Sequence, residues 1–170
     1  RLLFEIIDGI RAECRNNFIL GVRLSPEGGG TGIHLKESKE LAEILMISGK
    51  IDFLDMSLWD VFKEPEEEQF KDKSLIEHFS ELKRGATKLG VAGKIKNTED
   101  ILKTIKYVDL IILGRAAILH HNFPILFKKY PSFKTIDTPV DPKYLIKEGL
   151  SKAFIEYLSN KFDGMVKNNF

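Results

Sequence analysis

Gly90-Val91-Ala92-Gly93-Lys94-Ile95 and Leu110-Ile111-Ile112-Leu113-Gly114-Arg115 are the two stretches that decide the fold. Each contains a short apolar run that ends in a glycine, and the segment between the two runs has the pattern of one helix. A (β/α) barrel holds a phosphate with two successive strand–glycine–helix units, because backbone N–H groups after its last two strands converge on the anion. Bare glycines let the anion approach closely. Gly93 and Gly114 therefore predict a phosphorylated cofactor or substrate.

The same alternation of strand and helix runs through most of the chain. We predict helices over residues 1–15, 35–47, 74–84, 99–106 and 116–130, the last interrupted at Pro124, and strands over 18–24, 51–58, 89–92 and 108–113. These strands are continuous apolar runs, which is typical of a buried parallel sheet. Four βα units are half of a closed eight-stranded barrel, but a small open sheet would also accommodate them. The fold class is therefore α/β.

Local signals support several of these boundaries. Ser74 with Glu77 has the capping-box spacing, and Asn97 or Thr98 is placed to cap the following helix. Gly49 is placed to end the helix before it. The glycine-rich loop 25–32 predicts a mobile excursion.

Residues 131–170 break the alternation and predict a proline-punctuated linker and an amphipathic packing helix. Its apolar face would consist of Leu150, Phe154, Ile155 and Leu158. We expect this tail to pack back on the body of the protein.

Composition narrows the class of protein. A chain of 170 residues with 43% hydrophobic and 30% charged residues is globular rather than disordered. Its formal net charge of +1 gives no reason to expect nucleic acid or an acidic membrane surface as a partner. The single cysteine, Cys14, excludes an intrachain disulfide and fits a cytoplasmic protein. Because residues 1–11 already have a mid-helix pattern, we expect that the start of the protein is missing.

Weaker candidates for a chemical role have ordinary explanations. The acidic loop 59–73 is typical of a solvated loop rather than a metal site. His120 and His121 are adjacent, so they cannot both face one metal from a helix, and a surface or packing role is favoured. Trp59 follows the second strand and is a candidate for the mouth of a site, with packing an equally good alternative.

Five segments together resemble the old yellow enzyme family of FMN-dependent NADH:flavin oxidoreductases and ene-reductases. They are residues 1–11, Gly21-Val22-Arg23-Leu24-Ser25-Pro26, Asp52-Phe53-Leu54-Asp55-Met56-Ser57, Gly90–Ile95 and Asp109–Ala116. They follow the order and spacing of the family from residue 1 to about residue 127, and more loosely over 149–158. The resemblance implies a (β/α)8 TIM barrel with FMN at the carboxyl ends of its strands. This chain would carry strands five to eight, the C-terminal half, over residues 1–130, and the linker and packing helix over 131–170.

The resemblance assigns cofactor contacts to Arg23, Gly93, Lys94, Gly114 and Arg115. Backbone N–H groups around the last four would bind the FMN phosphate, and the Arg115 guanidinium would add a charge-assisted contact. Arg23 matches the family arginine beside the N1/O2 edge of the flavin, where a cation favours the negative charge of the reduced ring. Without the resemblance, a lone arginine at a strand end is more often a structural ion-pair residue.

The resemblance also implies an activity, namely the reduction of activated alkenes or similar small-molecule acceptors by hydride from FMN, with NAD(P)H as the reductant. The histidine pair or His/Asn pair that holds the substrate carbonyl in this family, and its tyrosine proton donor, match no position in the chain. We therefore expect the phosphate and N1 side of a flavin site without catalytic residues, so that this chain on its own should not turn over. Open sheet edges and an uncovered face would make the chain pair with a missing N-terminal half or with itself.

Two other interpretations stay open. The chain could be a stand-alone half barrel that binds a phosphate ligand or a partner without catalysis. A dihydroorotate-dehydrogenase-like flavoprotein would share the paired glycine turns, but it should lack the Gly21–Pro26 segment.

Overall fold

Four parallel strands form one sheet, and their order in the sheet is their order along the chain. The strands are β1 (Gly21–Leu24), β2 (Phe53–Ser57), β3 (Lys88–Ala92) and β4 (Leu110–Ile111). The helices of this computed structural model are α1 (Leu2–Glu13), α2 (Leu35–Ile47), α3 (Leu75–Ser80), α4 (Thr98–Thr104), α5 (Arg115–Leu119), α6 (Phe123–Lys129), α7 (Pro142–Lys147) and α8 (Lys152–Lys161). A 3₁₀ turn spans Glu68–Phe70. The predicted α/β class with a parallel sheet is confirmed.

The structure describes residues 1–28, 30 and 32–167. Two residues of the predicted mobile loop 25–32, and the last three residues of the predicted tail, lie outside this described part. Among the described helices, none combines the length and the apolar content needed to cross a bilayer.

The chain divides into two compact units. The first consists of Arg1–Lys94 with Leu102–Ile112, and the second of Ile95–Ile101 with Leu113–Phe170. The whole sheet belongs to the first unit. The predicted division into a half barrel over 1–130 and a tail over 131–170 stays a prediction.

The core of the first unit lies on one face of its sheet. Leu54, Met56, Leu89 and Val91 alternate along β2 and β3 and are fully buried. Helix α2 packs against β2 and against α3. The two helices bury Ala42, Leu45, Met46, Leu75, Ile76 and Phe79. One buried face accounts for the apolar residues at these alternate positions.

The opposite face of the sheet is more open. The register aligns Arg23 with Asp55, Asp55 with Gly90, and Gly90 with Leu110, so these four residues project from the same face. Arg23 and Leu110 on this face are exposed, and Phe53 is half-buried. In most parallel sheets both faces are covered, whereas this face keeps Arg23 and Leu110 exposed.

β1 is shorter than the predicted strand 18–24, and side chains take part in the hydrogen bonding of residues 18–20. The Arg11 guanidinium donates to Phe18 O and to Asp52 Oδ2, each at 2.7 Å. The same oxygen, Asp52 Oδ2, also accepts from the Leu20 N–H at 2.7 Å. The Leu20 carbonyl oxygen accepts from the Asp52 N–H at 2.8 Å, and the paired residues of β1 and β2 begin at Gly21 and Phe53.

Several helix ends agree with the sequence signals. Ser74 and Glu77 form the predicted capping box at the start of α3. Asn97 Oδ1 accepts from the Asp100 N–H at 2.8 Å, as a cap of α4 does. Gly49 directly follows Ser48, the C-cap of α2, and its φ of 69° is typical of a glycine that ends a helix.

The predicted interruption at Pro124 is wrong in detail. The helix breaks earlier, after Leu119, and Pro124 lies in the first turn of α6. Proline is tolerated in a first turn because the N–H that it lacks would have no partner there. A proline in a helical pattern thus marked a start here rather than a break.

The tail of the second unit contains two helices where the sequence predicted one. The hydrophobic core of the second unit contains Leu119, Val140, Leu145, Ile155, Leu158, Met165 and Val166. Leu150 packs against this cluster from the connection that precedes α8. Phe154, which was predicted on the apolar face, is exposed and stacks on Tyr157 with ring centroids 5.9 Å apart.

Candidate functional site

Arg23 lies at the carboxyl end of β1, where the sequence placed it. Its Nη1 donates to Asp55 Oδ2 at 2.7 Å, and its Nη2 donates to Ser57 Oγ at 2.8 Å. The Arg23 side chain is still 54% exposed, whereas the Asp55 side chain is 10% exposed. A cation is therefore fixed at this edge of the sheet while its guanidinium stays accessible from solvent.

Asp55 is a functional candidate that the sequence analysis missed. Burial raises the pKa of its carboxyl group, and the Arg23 guanidinium acts in the opposite direction. Its second oxygen, Oδ1, is buried and accepts no hydrogen bond from any described residue. The available signal in the sequence was a charged residue within the apolar run 51–58. An acceptor in this state can receive an N–H or O–H from a group bound at the sheet edge.

Gly93 directly follows β3, and its environment differs from the prediction. A Cβ at Gly93 would lie 2.9 Å from Asp60 N, 2.9 Å from Trp59 C and 3.1 Å from Val61 N. The backbone that approaches Gly93 is thus the loop after β2. A glycine is required here by the packing of the protein on itself, whether or not an anion also binds.

Lys94 has a φ of 48°, which is uncommon for a residue with a side chain. Its ammonium group lies 3.2 Å from Asp60 Oδ2. Asp60 is a second residue that sequence reasoning missed, because nothing in its spacing pairs it with a lysine so far along the chain. Arg23, Gly93 and Lys94 all belong to the first unit, Arg23 at the carboxyl end of β1 and the other two directly after β3.

Gly114 and Arg115 belong to the second unit, which is described by itself. Gly114 precedes α5, and a Cβ built on it would meet no described atom within 4 Å. Its carbonyl oxygen accepts from the Ala117 and Ile118 N–H groups at 3.0 and 3.3 Å. The convergence of the turns after β3 and β4 on one phosphate stays a prediction.

A cavity of about 250 Å³ opens beside Arg115 in the second unit. Its wall includes Lys96, Arg115, Thr135, Asp137 and Thr138. Within residues 1–28, 30 and 32–167, neither Lys96 nor Arg115 forms an ion pair, whereas Asp137 is neutralised by Lys134 at 3.0 Å. Two cations without carboxylate partners beside two hydroxyl groups make this cavity suited to an anion.

The backbone of the second unit fixes the Lys96 side of the cavity. The Lys96 N–H donates to Asp100 Oδ2 at 2.8 Å, and the Lys96 carbonyl accepts from the Thr135 N–H at 2.9 Å. Lys96 lies just after the glycine–lysine turn in sequence, but no motif distinguished it from the many other lysines. Only the pairing of its segment with residues 134–135 brings it to this wall.

His120 and His121 have the packing and surface roles predicted for them. His120 Nε2 accepts from the Ile136 N–H at 3.0 Å, and the ring packs edge-on against Phe133. His121 Nδ1 lies 2.8 Å from Glu148 Oε2. In the described part of the chain, no group of three or more His, Cys, Asp or Glu side chains could hold a metal ion.

The hydrogen bond from the Ile136 N–H to His120 Nε2 predicts that the folded protein loses stability in mild acid. Burial lowers the pKa of His120, although Glu148 opposes this effect. A histidine whose pKa is lower in the folded state binds its proton more readily when unfolded, so stability falls as the pH drops below about 6.5. The protein should therefore melt at a lower temperature at pH 5 than at pH 7. Replacing His120 with glutamine should reduce this difference in a calorimetric pH series, and an unchanged difference would contradict the assignment.

Comparison with known proteins adds no assignment, since no family model matches the chain and no curated protein sequence matches it.

Proposed function

We propose that this chain is the C-terminal part of an FMN-dependent NAD(P)H oxidoreductase of the old yellow enzyme type, and that its sheet is strands five to eight of a (β/α)8 barrel. The observation that carries the proposal is Arg23, a fixed and accessible cation at the carboxyl end of a parallel strand. Ligands of α/β proteins bind at that end of the strands. The open second face of the sheet supports a half barrel, since a closed barrel would cover it with side chains of the other half.

The residues present fit the cofactor in two respects. In the first unit, the Arg23 guanidinium would stabilise negative charge on the pyrimidine edge of the ring, and Asp55 Oδ1 is an acceptor in need of a donor. Taken by itself, the cavity of the second unit offers Lys96 and Arg115 to a phosphate group, which each would hold by a charge-assisted hydrogen bond. When bound, FMN would carry a hydride from NAD(P)H to the β-carbon of an activated alkene, and a proton would complete the reduction at the α-carbon.

The chain's own part in this activity would be binding and electrostatics. Arg23 would orient the ring and hold a positive charge beside it, while Ser57 would keep the guanidinium in place. No residue of this chain is assigned a proton transfer, and small-molecule substrates would be held partly by residues outside it. The protein would pair with an N-terminal half or with a second copy through the open sheet face.

The experiment that tests this function removes the positive charge without leaving Asp55 buried and unpaired. In the complete oxidoreductase, we expect the double variant Arg23→Ala/Asp55→Asn to bind FMN about tenfold more weakly, or to accept hydride more slowly, than the Asp55→Asn variant alone. Arg23→Lys should retain part of the FMN affinity and of the rate of flavin reduction, because it keeps the positive charge. Stopped-flow flavin reduction and equilibrium dialysis measure both quantities. Equal kinetics and affinity in the double variant and its control would remove the role of Arg23.

A second candidate function is a stand-alone phosphate-binding protein without catalysis. The cation-lined cavity of the second unit favours it, because that cavity needs no flavin to attract an anion. Binding of inorganic phosphate with no affinity for FMN, and no oxidation of NADH or NADPH, would select this alternative.

A further inference from the structure

A carboxylate lies buried beside the exposed arginine at the carboxyl edge of the first unit's sheet. Asp55 is aligned in register with Arg23 on the neighbouring strand, and its side chain is 10% exposed, against 54% for Arg23. The cation of this ion pair is therefore accessible from solvent, whereas the anion is covered by the protein. A ligand that binds at this edge would meet the positive end of the pair first.

Asp55 is an expensive residue at its position. Its Oδ2 accepts from Arg23 Nη1 at 2.7 Å, but its Oδ1 is buried and has no hydrogen-bond partner among the described residues. Burial raises the pKa of the carboxyl group, and Arg23 acts in the opposite direction. A buried ion pair is often no more stable than apolar packing, and an oxygen without a donor adds to its cost. Stability alone therefore does not account for a carboxylate here.

The orientation of Arg23 does not depend on Asp55 alone. Arg23 Nη2 also donates to Ser57 Oγ at 2.8 Å, and Ser57 lies two residues after Asp55 on the same face of β2. A hydroxyl group holds the guanidinium without changing the net charge of the site. Asp55 holds the guanidinium and also places a negative charge beside it, in surroundings that screen charge less than water does.

We propose that Asp55 is a positioning residue that lowers the reduction potential of the bound flavin by compensating the positive charge of Arg23. The inference rests on the proposed function, for which it adds how the tendency of the ring to accept electrons is set. An uncompensated guanidinium beside the pyrimidine edge would strongly stabilise the negative charge of the reduced ring. The buried carboxylate opposes this effect, so the reduced ring becomes a stronger hydride donor.

The test measures the two-electron midpoint potential of FMN in the complete oxidoreductase, by anaerobic reduction with dithionite beside a reference dye. In Asp55→Asn, the affinity for reduced relative to oxidised FMN should rise about tenfold, which makes the potential about 30 mV more positive. Ser57→Ala should shift the potential much less, since it removes a contact to Arg23 but no charge. Asp52→Asn is the matched control and should leave the potential unchanged. Asp52 also pairs with an arginine, Arg11, at 2.7 Å, but it precedes β2 at the opposite end of the strand.

The double variant Arg23→Ala/Asp55→Asn separates compensation of charge from damage to the fold. Because it removes both charges, its potential should return towards that of the wild type, which a merely structural role of Asp55 would not produce. An unchanged or more negative potential in Asp55→Asn overturns the inference alone. So does an equal rise in the Asp52→Asn control, or a double variant that keeps the raised potential. An oxidoreductase that retains no FMN overturns the proposed function and the inference together.

Discussion

Alanine at position 93 is expected to destabilise the protein by about 1–3 kcal/mol, the cost of forcing an extra methyl group into packed structure. The new Cβ would lie 2.9 Å from backbone atoms of Trp59 and Asp60. That loop cannot retreat cheaply, because the Leu58 N–H bonds to Ala92 O and the Val61 N–H to Gly93 O. The strand end and the loop would have to separate.

Urea denaturation measures this effect, and the chain offers a matched control with the opposite expected sign. Gly9 lies inside helix α1, and a Cβ there would meet no described atom within 4 Å. Gly9→Ala should stabilise the protein by roughly 0.5–1 kcal/mol, since alanine loses less backbone entropy in a helix. Similar stabilities for Gly93→Ala and Gly9→Ala would contradict the close approach at Gly93.

Removing both cations of the cavity is expected to abolish the preference for a phosphorylated flavin. If the phosphate contacts Lys96 and Arg115, FMN should bind more tightly than riboflavin, which has the same ring system without the phosphate. Each charge-assisted hydrogen bond contributes about 1.5–3 kcal/mol, so Lys96→Ala/Arg115→Ala should weaken FMN binding by on the order of a hundredfold or more.

The comparison of FMN with riboflavin separates this effect from general damage to the protein. Riboflavin affinity should be nearly the same in the wild type and in the double variant, as measured by quenching of flavin fluorescence. Lys134→Ala is a matched control, because this lysine already pairs with Asp137 and should not be required for the phosphate. An equal loss of affinity for both flavins would show that the two cations support the structure rather than the phosphate.

The sequence predicted the alternation of strands and helices well, because the buried face of the sheet depends on residues close together in the chain. Apolar residues such as Leu54 and Met56 in β2, or Leu89 and Val91 in β3, mark that face directly. The capping box of Ser74 and Glu77 is equally local. Such features need no knowledge of distant contacts.

The misassigned details depend on contacts between distant residues. Before strand β1, Arg11 and Asp52 take part in the hydrogen bonding of residues 18–20, and no local pattern shows such bonds. The glycine at 93 was predicted to admit an anion, yet the atoms nearest to it belong to residues 59–61. Glycine patterns reveal that something approaches closely, but they do not reveal what approaches.

In the candidate site, too, local features were predicted and contacts between distant residues were not. Arg23 was identified through its segment, whereas its buried partner Asp55 was recognised only when the register placed the two side chains together. Lys96 is on the wall of the cavity because its segment pairs with residues 134–135, which lie far along the chain. Charge partners of this kind become visible only in three dimensions.

The central claim is that the protein binds FMN, and the visible absorption spectrum of the purified protein after FMN addition and gel filtration tests it most directly. We predict that the flavin band elutes with the protein and that riboflavin is retained less, and that in the complete oxidoreductase NADH or NADPH bleaches the band without oxygen. A protein fraction with no flavin absorption after incubation with excess FMN would contradict the account.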